Sequence, residues 1–173
     1  YNFNLVLTRG GTLHIDHGKP MPGLIERSAA NLREIASTVH FNVPRGFDML
    51  LPFLESDAVL RERFFSRLRI LFYAGAALPQ NLWDRLTRLA EQTHHAQVAM
   101  LSAWGSTETA PLCTAVHFPI PRAGVIGLPV PGVEVKMVPD SGKLALRVRG
   151  PNITPGYWRS PEQTAQAFDA DGF

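Results

Sequence analysis

Val98-Ala99-Met100-Leu101-Ser102-Ala103-Trp104 is an apolar run interrupted only by Ser102, and it gives way at once to Gly105-Ser106-Thr107-Glu108-Thr109. A short apolar run closed by a polar turn reads as a buried strand. Upstream, Ile70-Leu71-Phe72-Tyr73-Ala74 has the same texture and stops at Gly75. Between the two runs, Leu82, Leu86 and Leu89 recur at helical spacing within Leu82 to Thr93. Strand, amphipathic helix and strand in this order predict parallel neighbours joined by a helical crossover.

Working towards the N-terminus, Val39 to Val43 reads as another buried strand. Pro44 suits the first turn of the next helix, whose apolar face is Phe47, Leu50, Leu51 and Leu54. Asp57 to Leu68 reads as an Arg-rich helix, and Leu24 to Ser37 as one with Leu24, Ile25, Ala29, Leu32 and Ile35 near helical spacing. Asn2 to Thr8 is apolar-rich and stops at Gly10-Gly11, as a helix end does. Thr12 to Asp16 alternates like a short strand, and His17 to Gly23 is turn-rich.

Beyond His117 the texture changes. Pro119, Pro121, Pro129 and Pro131 arrive with Gly124, Gly127 and Gly132. Two alternating segments, Val133 to Val138 and Leu144 to Val148, flank Pro139-Asp140-Ser141-Gly142, which has the composition of a hairpin turn. The expected fold is therefore α/β. A mainly parallel sheet flanked by helices occupies residues 1–118, and a smaller β-rich subdomain occupies 119–173.

Composition narrows the function classes. The chain has 173 residues, 45% hydrophobic and only 18% charged, with a formal net charge of +2. A charge fraction below the roughly 25% of an average domain fits a surface partly covered by more protein. Nothing in this balance demands nucleic acid. Arg61, Arg63, Arg67 and Arg69 form the densest basic cluster, read as a helix face or a contact to further chain. The lone Cys113 makes no internal disulfide and points to a reducing compartment, the cytoplasm. No apolar run approaches a membrane span. The chain begins at Tyr1 and ends at Asp171-Gly172-Phe173, so it is expected to be an internal piece, truncated in its β-rich part, with the remainder of its own chain as a partner. A homo-oligomer stays open.

Chemistry concentrates at the strand exits, where open α/β sheets bind ligands. In Gly105-Ser106-Thr107-Glu108-Thr109-Ala110-Pro111-Leu112, Gly105 permits close backbone approach or unusual dihedrals. Ser106, Thr107 and Thr109 bring hydroxyls. Glu108 is a hard oxygen ligand of the kind Mg²⁺ takes together with substrate phosphates. Read as composition alone, the segment is an ordinary polar loop at a strand exit. Gly75-Ala76-Ala77 is either a surface on which a flat ligand lies or a tight strand-to-helix connection.

Order and texture together add more. Trp104-Gly105-Ser106-Thr107-Glu108 resembles the aromatic-Gly-x-Thr-Glu motif of the adenylate-forming superfamily, which includes acyl-CoA synthetases. Gly75-Ala76-Ala77 resembles its adenine loop. The segment from Gly124 to Lys136 resembles its Gly-x-x-Gly-x-Pro-x-Pro-Gly block, and Gly142 to Trp158 the next block, ending in Gly-Tyr-Trp. Pro161-Glu162-Gln163-Thr164 and Asp171-Gly172-Phe173 continue it. Asn2-Phe3-Asn4, Gly10 to Leu13 and Phe41 to Asp48 look most like feruloyl-CoA synthases.

The resemblance implies two-step chemistry on a small carboxylic acid of the ferulate or hydroxycinnamate type. The acid is activated by ATP as acyl-AMP and then passed to coenzyme A. Thr107 and Glu108 are the implied catalytic pair, with Thr107 on the α-phosphate and Glu108 holding Mg²⁺. Gly75, Ala76, Ala77, Trp104, Gly105, Ser106 and Thr107 are the implied ATP/AMP contacts. Gly105, Thr109, Ala110, Pro111 and Leu112 are the implied border of the acyl pocket. Trp104 stands where the family usually has Tyr; an indole stacks but lacks the phenol hydroxyl. No Gly/Ser/Thr-rich phosphate loop followed by Lys is present, and Lys19, Lys136 and Lys143 lack the context of the family's catalytic Lys. The isolated chain is therefore expected to have negligible synthetase activity.

Two other readings stand beside this one. One is a non-catalytic nucleotide-binding or interaction module of the same fold. The other is a piece of a peptide-synthetase adenylation domain. His94-His95 as a metal site lacks a third ligand, since adjacent residues diverge on a helix. Cys113 lacks a paired His and reads as a small buried apolar residue.

Overall fold

The computed structural model describes residues 2–93 and 98–173, so the expectation for His94-His95 lies outside the described residues. Two compact units interleave along the chain. One runs up to Ser102 and takes in Phe118–Val125. The other is Ala103–His117 with Ile126–Phe173. The division expected near 118/119 from sequence texture stays a proposal.

In the first unit the apolar runs become strands and the helical spacings become helices. Strands β1 (Val39–Asn42), β2 (Ile70–Tyr73) and β3 (Ala99–Trp104) pair in parallel, with Val39 beside Ile70 and Ile70 beside Ala99. Helices α1 (Asn2–Thr8), α2 (Ile25–Glu34), α3 (Pro44–Ser56), α4 (Ala58–Phe65) and α5 (Gln80–Thr93) complete it. Pro44 opens α3, where a missing N–H costs nothing. Asp57 caps α4 by accepting the Leu60 N–H at 3.0 Å, and it also pairs with Arg33 of α2. The core joins Phe47, Leu50, Leu51 and Leu54 of α3 to Leu60, Phe64 and Phe65 of α4, Leu71 of β2 and Leu86 of α5.

The arginine cluster has a structural use. Arg63 donates to the Glu34 carbonyl at the end of α2 (2.8 Å), and Arg61 to the Leu54 and Glu55 carbonyls at the end of α3 (3.0 and 3.1 Å). Cations at helix C-termini satisfy carbonyls that have no intrahelical partner.

The strand expected over Thr12 to Asp16 does not form. The Asp16 carboxylate instead accepts from the Gly18 N–H (2.9 Å), from Asn31 of α2 (2.7 Å) and from the Ser28 hydroxyl. Alternation without a ladder partner leaves the backbone to be fixed by local side-chain bonds.

In the second unit, the last residues of β3 pair antiparallel with β4 (Thr114–Ala115), and β4 with β5 (Leu128–Pro129). The sheet as a whole is thus parallel in one part and antiparallel in the other. The expected hairpin is β6 (Glu134–Asp140) and β7 (Lys143–Arg149). Asp140 faces Lys143 across a two-residue turn, Ser141-Gly142, with φ of 50° and 80°. Two left-handed residues match the twist of a tight hairpin, and Gly142 adopts the second without strain. Helix α6 (Pro161–Ala167) follows. Lys136 and Arg147 pair with Asp169 at 2.8 and 3.0 Å. The Phe173 ring lies 4.3 Å from the Lys136 ammonium and 4.4 Å from the Arg149 guanidinium.

Candidate functional site

The stretch from Trp104 to Leu112 belongs to the second unit, and Gly75-Ala76-Ala77 to the first. Gly75 to Ala77 follow β2 directly and are exposed. Gly75 takes φ of 88° to leave the strand, a conformation that any side chain would strain. Close approach of a ligand to this backbone is therefore sterically open.

Trp104 ends β3 beside Thr114, and its carbonyl accepts the Cys113 N–H at 2.9 Å. The chain then reverses through Gly105. A Cβ there would lie 1.8 Å from the Pro111 carbonyl oxygen, so the position needs space, and of the two roles open to this glycine the structure selects close approach. Thr107–Thr109 form a single 3₁₀ turn. Thr109 is buried, and its hydroxyl closes the turn, accepting the Ser106 N–H at 2.8 Å and donating to the Ser106 carbonyl at 3.0 Å. Ser106 and Thr107 are exposed, as are Ala110 and Pro111, while Leu112 and Glu108 are half-buried. The turn thus brings Trp104, Gly105, Ser106, Thr107, Glu108 and Thr109 to Leu112 into one loop beyond a strand end.

Glu108 carries the charge of this loop. Hydrogen bonding, first from the Ser106 side chain and then from the turn backbone and Tyr157, holds its carboxyl below the usual value, against the opposing effect of desolvation. It is ionised at neutral pH and partly open to solvent. Tyr157 donates to Glu108 Oε1 at 3.1 Å. The same hydrogen bond, with the Glu108 charge, raises the phenol above its ordinary value. Burial pushes the Cys113 thiol up, so it is a poor nucleophile at neutral pH.

Asn152, Thr154 and Tyr157 also reach this loop, and none of them stands out in the sequence as a site residue. The Thr154 N–H donates to the Glu108 carbonyl at 2.8 Å. Asn152 Nδ2 donates to the Thr109 and Leu112 carbonyls, each at 2.8 Å. The one signal was their place in the block ending in Gly-Tyr-Trp.

The model of the AMP-binding enzyme family matches residues 1–158. The chain belongs to the AMP-binding enzyme family. A long-chain-fatty-acid–CoA ligase of Escherichia coli O157:H7 is 30% identical over 163 residues, which is 90% of this chain and 27% of that protein. The mitochondrial malonate–CoA ligase ACSF3 of Homo sapiens is 28% identical over 166 residues, 78% of this chain and 25% of that protein. The chain thus spans about a quarter of the length of these relatives. Among solved structures, a malonyl-CoA ligase in a product complex with methylmalonyl-CoA and AMP superposes with a TM-score of 0.65 at 32% identity, covering 86% of this chain and 32% of that one. The α/β fold is that of such ligases.

Among the described residues, no group of three or more His, Cys, Asp and Glu side chains gathers to hold a metal ion. No helix among them is long and apolar enough to cross a membrane. Glu108 by itself fits an AMP-binding enzyme that uses Mg²⁺, a cation commonly held by one or two carboxylates and completed by nucleotide phosphates and water.

Proposed function

We propose that the intact protein carrying this chain is an ATP-dependent carboxylate–CoA ligase. The observation that carries the reading is Glu108, an ionised, half-exposed carboxylate fixed in the turn beyond β3 of an AMP-binding enzyme. A carboxylate oxygen of the substrate attacks the α-phosphorus of ATP, pyrophosphate leaves, and an acyl-adenylate forms. The coenzyme A thiolate then attacks the acyl carbon and AMP leaves with the electron pair of the broken C–O bond.

In this reading the protein positions groups and stabilises charge. The exposed Thr107 hydroxyl donates to an α-phosphate oxygen, and Trp104 lies against the adenine. Gly105, Ala110, Pro111 and Leu112 border the acyl group, with Thr109 holding their loop closed. Glu108 would hold Mg²⁺, which when bound neutralises phosphate charge.

The finer proposal is a hydroxycinnamate-type acid. It is supported by the small residues Gly105 and Ala110 and by the N-terminal segments Asn2 to Asn4 and Phe41 to Asp48. The names of the relatives, long-chain fatty acid and malonate ligases, weigh towards other acids.

The test is ATP–pyrophosphate exchange by the intact protein against ferulate, benzoate, malonate and a long-chain fatty acid. Exchange driven by one of them, reduced on the order of 100-fold or more in Glu108→Ala, is the expected result. Exchange with malonate or the fatty acid alone removes the aromatic substrate and leaves the ligase. No exchange with any acid removes the ligase.

A further inference from the structure

Two hydroxyls of different origin act on the Glu108 carboxylate. Ser106, a neighbour in the same turn, helps to hold its pKa down. Tyr157 comes from 49 residues further along the chain. A local donor moves with the turn, whereas a remote one ties the turn to a second framework.

That framework is well fixed. The Tyr157 N–H donates to the Thr164 hydroxyl oxygen at 2.9 Å, and the Thr164 hydroxyl donates to the Ser160 carbonyl at 2.9 Å, in the first turn of α6. At Gly156 a Cβ would lie 2.5 Å from Thr164 Cγ2, so glycine lets the two segments close up. Thr154 grips the Glu108 carbonyl, and Asn152 bridges the carbonyls of Thr109 and Leu112. Residues 152–157 therefore hold both the backbone and the carboxylate of Glu108.

We propose that Tyr157 is a positioning residue for Glu108: its phenol, anchored through Thr164 to α6, fixes the carboxylate in the orientation that receives a divalent cation. This rests on the ligase reading and on the role of Glu108 in it. A carboxylate already oriented by hydroxyl donors loses less freedom when it takes a ligand, and such supporting bonds tune metal affinity more than chemistry. Tyr157 touches neither substrate nor reacting atom in this scheme. Its removal moves the cation affinity and leaves the turnover at saturating cation in place.

The experiment compares wild-type intact protein with Tyr157→Phe, Thr164→Val, Thr164→Ser and Glu108→Ala. Two quantities are read: the Mg²⁺ concentration giving half-maximal ATP–pyrophosphate exchange, and Mn²⁺ affinity by electron paramagnetic resonance with ATP present. Tyr157→Phe keeps the ring and is expected to raise both constants about 10-fold, with maximal exchange within about twofold of wild type. Thr164→Val shifts both in the same direction, and Thr164→Ser, which keeps the hydroxyl, shifts neither. A Tyr157→Phe protein that melts like wild type and keeps both constants overturns the proposal. So does one whose maximal exchange falls while its cation constants stay put. Glu108→Ala separates the two levels. Full exchange in that variant overturns the role of Glu108 itself, whereas loss there beside an unaffected Tyr157→Phe overturns only the role of Tyr157.

Discussion

At the scale of single residues, Gly105 is the hinge of the candidate site. An added Cβ would meet the Pro111 carbonyl oxygen at 1.8 Å and Thr109 Oγ1 at 2.7 Å. Neither is the free end of a flexible side chain, since the first is backbone and the second closes the 3₁₀ turn. Gly105→Ala is therefore expected to destabilise the protein by about 2–3 kcal/mol and to displace the turn that bears Glu108. Urea unfolding and pyrophosphate exchange measured on the same variant check this. A wild-type midpoint with wild-type exchange would show that the turn tolerates the methyl group. The need for glycine here was legible in the sequence, because a small residue between a buried strand and a polar turn has few other uses. The partners of Glu108 were not legible. Tyr157 and Asn152 reach the loop across 40 residues or more, and no local pattern encodes such a meeting.

At the scale of elements, what local physics specifies was legible and what pairing specifies was not. The runs at Val39, Ile70 and Val98 became β1, β2 and β3, because side chains that must leave water need a sheet to cover them. The hairpin β6–β7 followed from its turn residues. The two-residue strands β4 and β5 exist only as partners of β3 and of each other, so they have no periodicity to read. Helix α6 buries none of its side chains and therefore shows no apolar stripe, although Pro161 at its first turn was a signal. The Thr12–Asp16 alternation had the strand pattern without a strand to meet. A cap is an element-scale device, and Asp57 tests it. Asp57→Ala removes the acceptor of the Leu60 N–H and the partner of Arg33. The ion pair is solvent-exposed and contributes little, so the cap dominates, with an expected loss of about 1 kcal/mol. Asp57→Asn keeps the capping oxygen and should retain most of that stability in thermal or urea unfolding. Equal losses in the two variants would transfer the effect to the ion pair.

At the scale of the whole molecule, the contiguous apolar core lies in the first unit. Among the described residues of the second unit, only Cys113, Val116 and Val133 are buried apolar side chains. Ladders, ion pairs and the bonds from Asn152 and Thr154 hold that unit together. The hydrophobic part of the folding free energy is thus concentrated where His40 sits. Its ring stands edge-on to Phe47 and Phe64, with centroids 5.7 and 5.2 Å away, and its Nε2 is buried without a partner. Burial lowers its pKa from 6.5 to about 4, against the opposing charge of Asp16. Between those two values the unfolded chain binds a proton that the folded chain refuses. Stability is therefore complete above pH 6.5 and falls as pH drops towards 4, by up to roughly 3 kcal/mol. Asp16, Glu108 and Asp169 have folded values below their ordinary ones. The stability that they add begins to be lost only as pH falls through their ordinary values of 4.5 for Glu108 and 3.8 for the two aspartates, below the interval compared next. Urea unfolding should accordingly show about 2 kcal/mol less stability at about pH 5 than at about pH 8. His40→Leu, which has no proton to take up, should show a difference smaller by that amount, whatever its stability at the higher pH. An unchanged difference in His40→Leu would mean that the histidine is protonated alike in both states and that its burial carries no pH dependence.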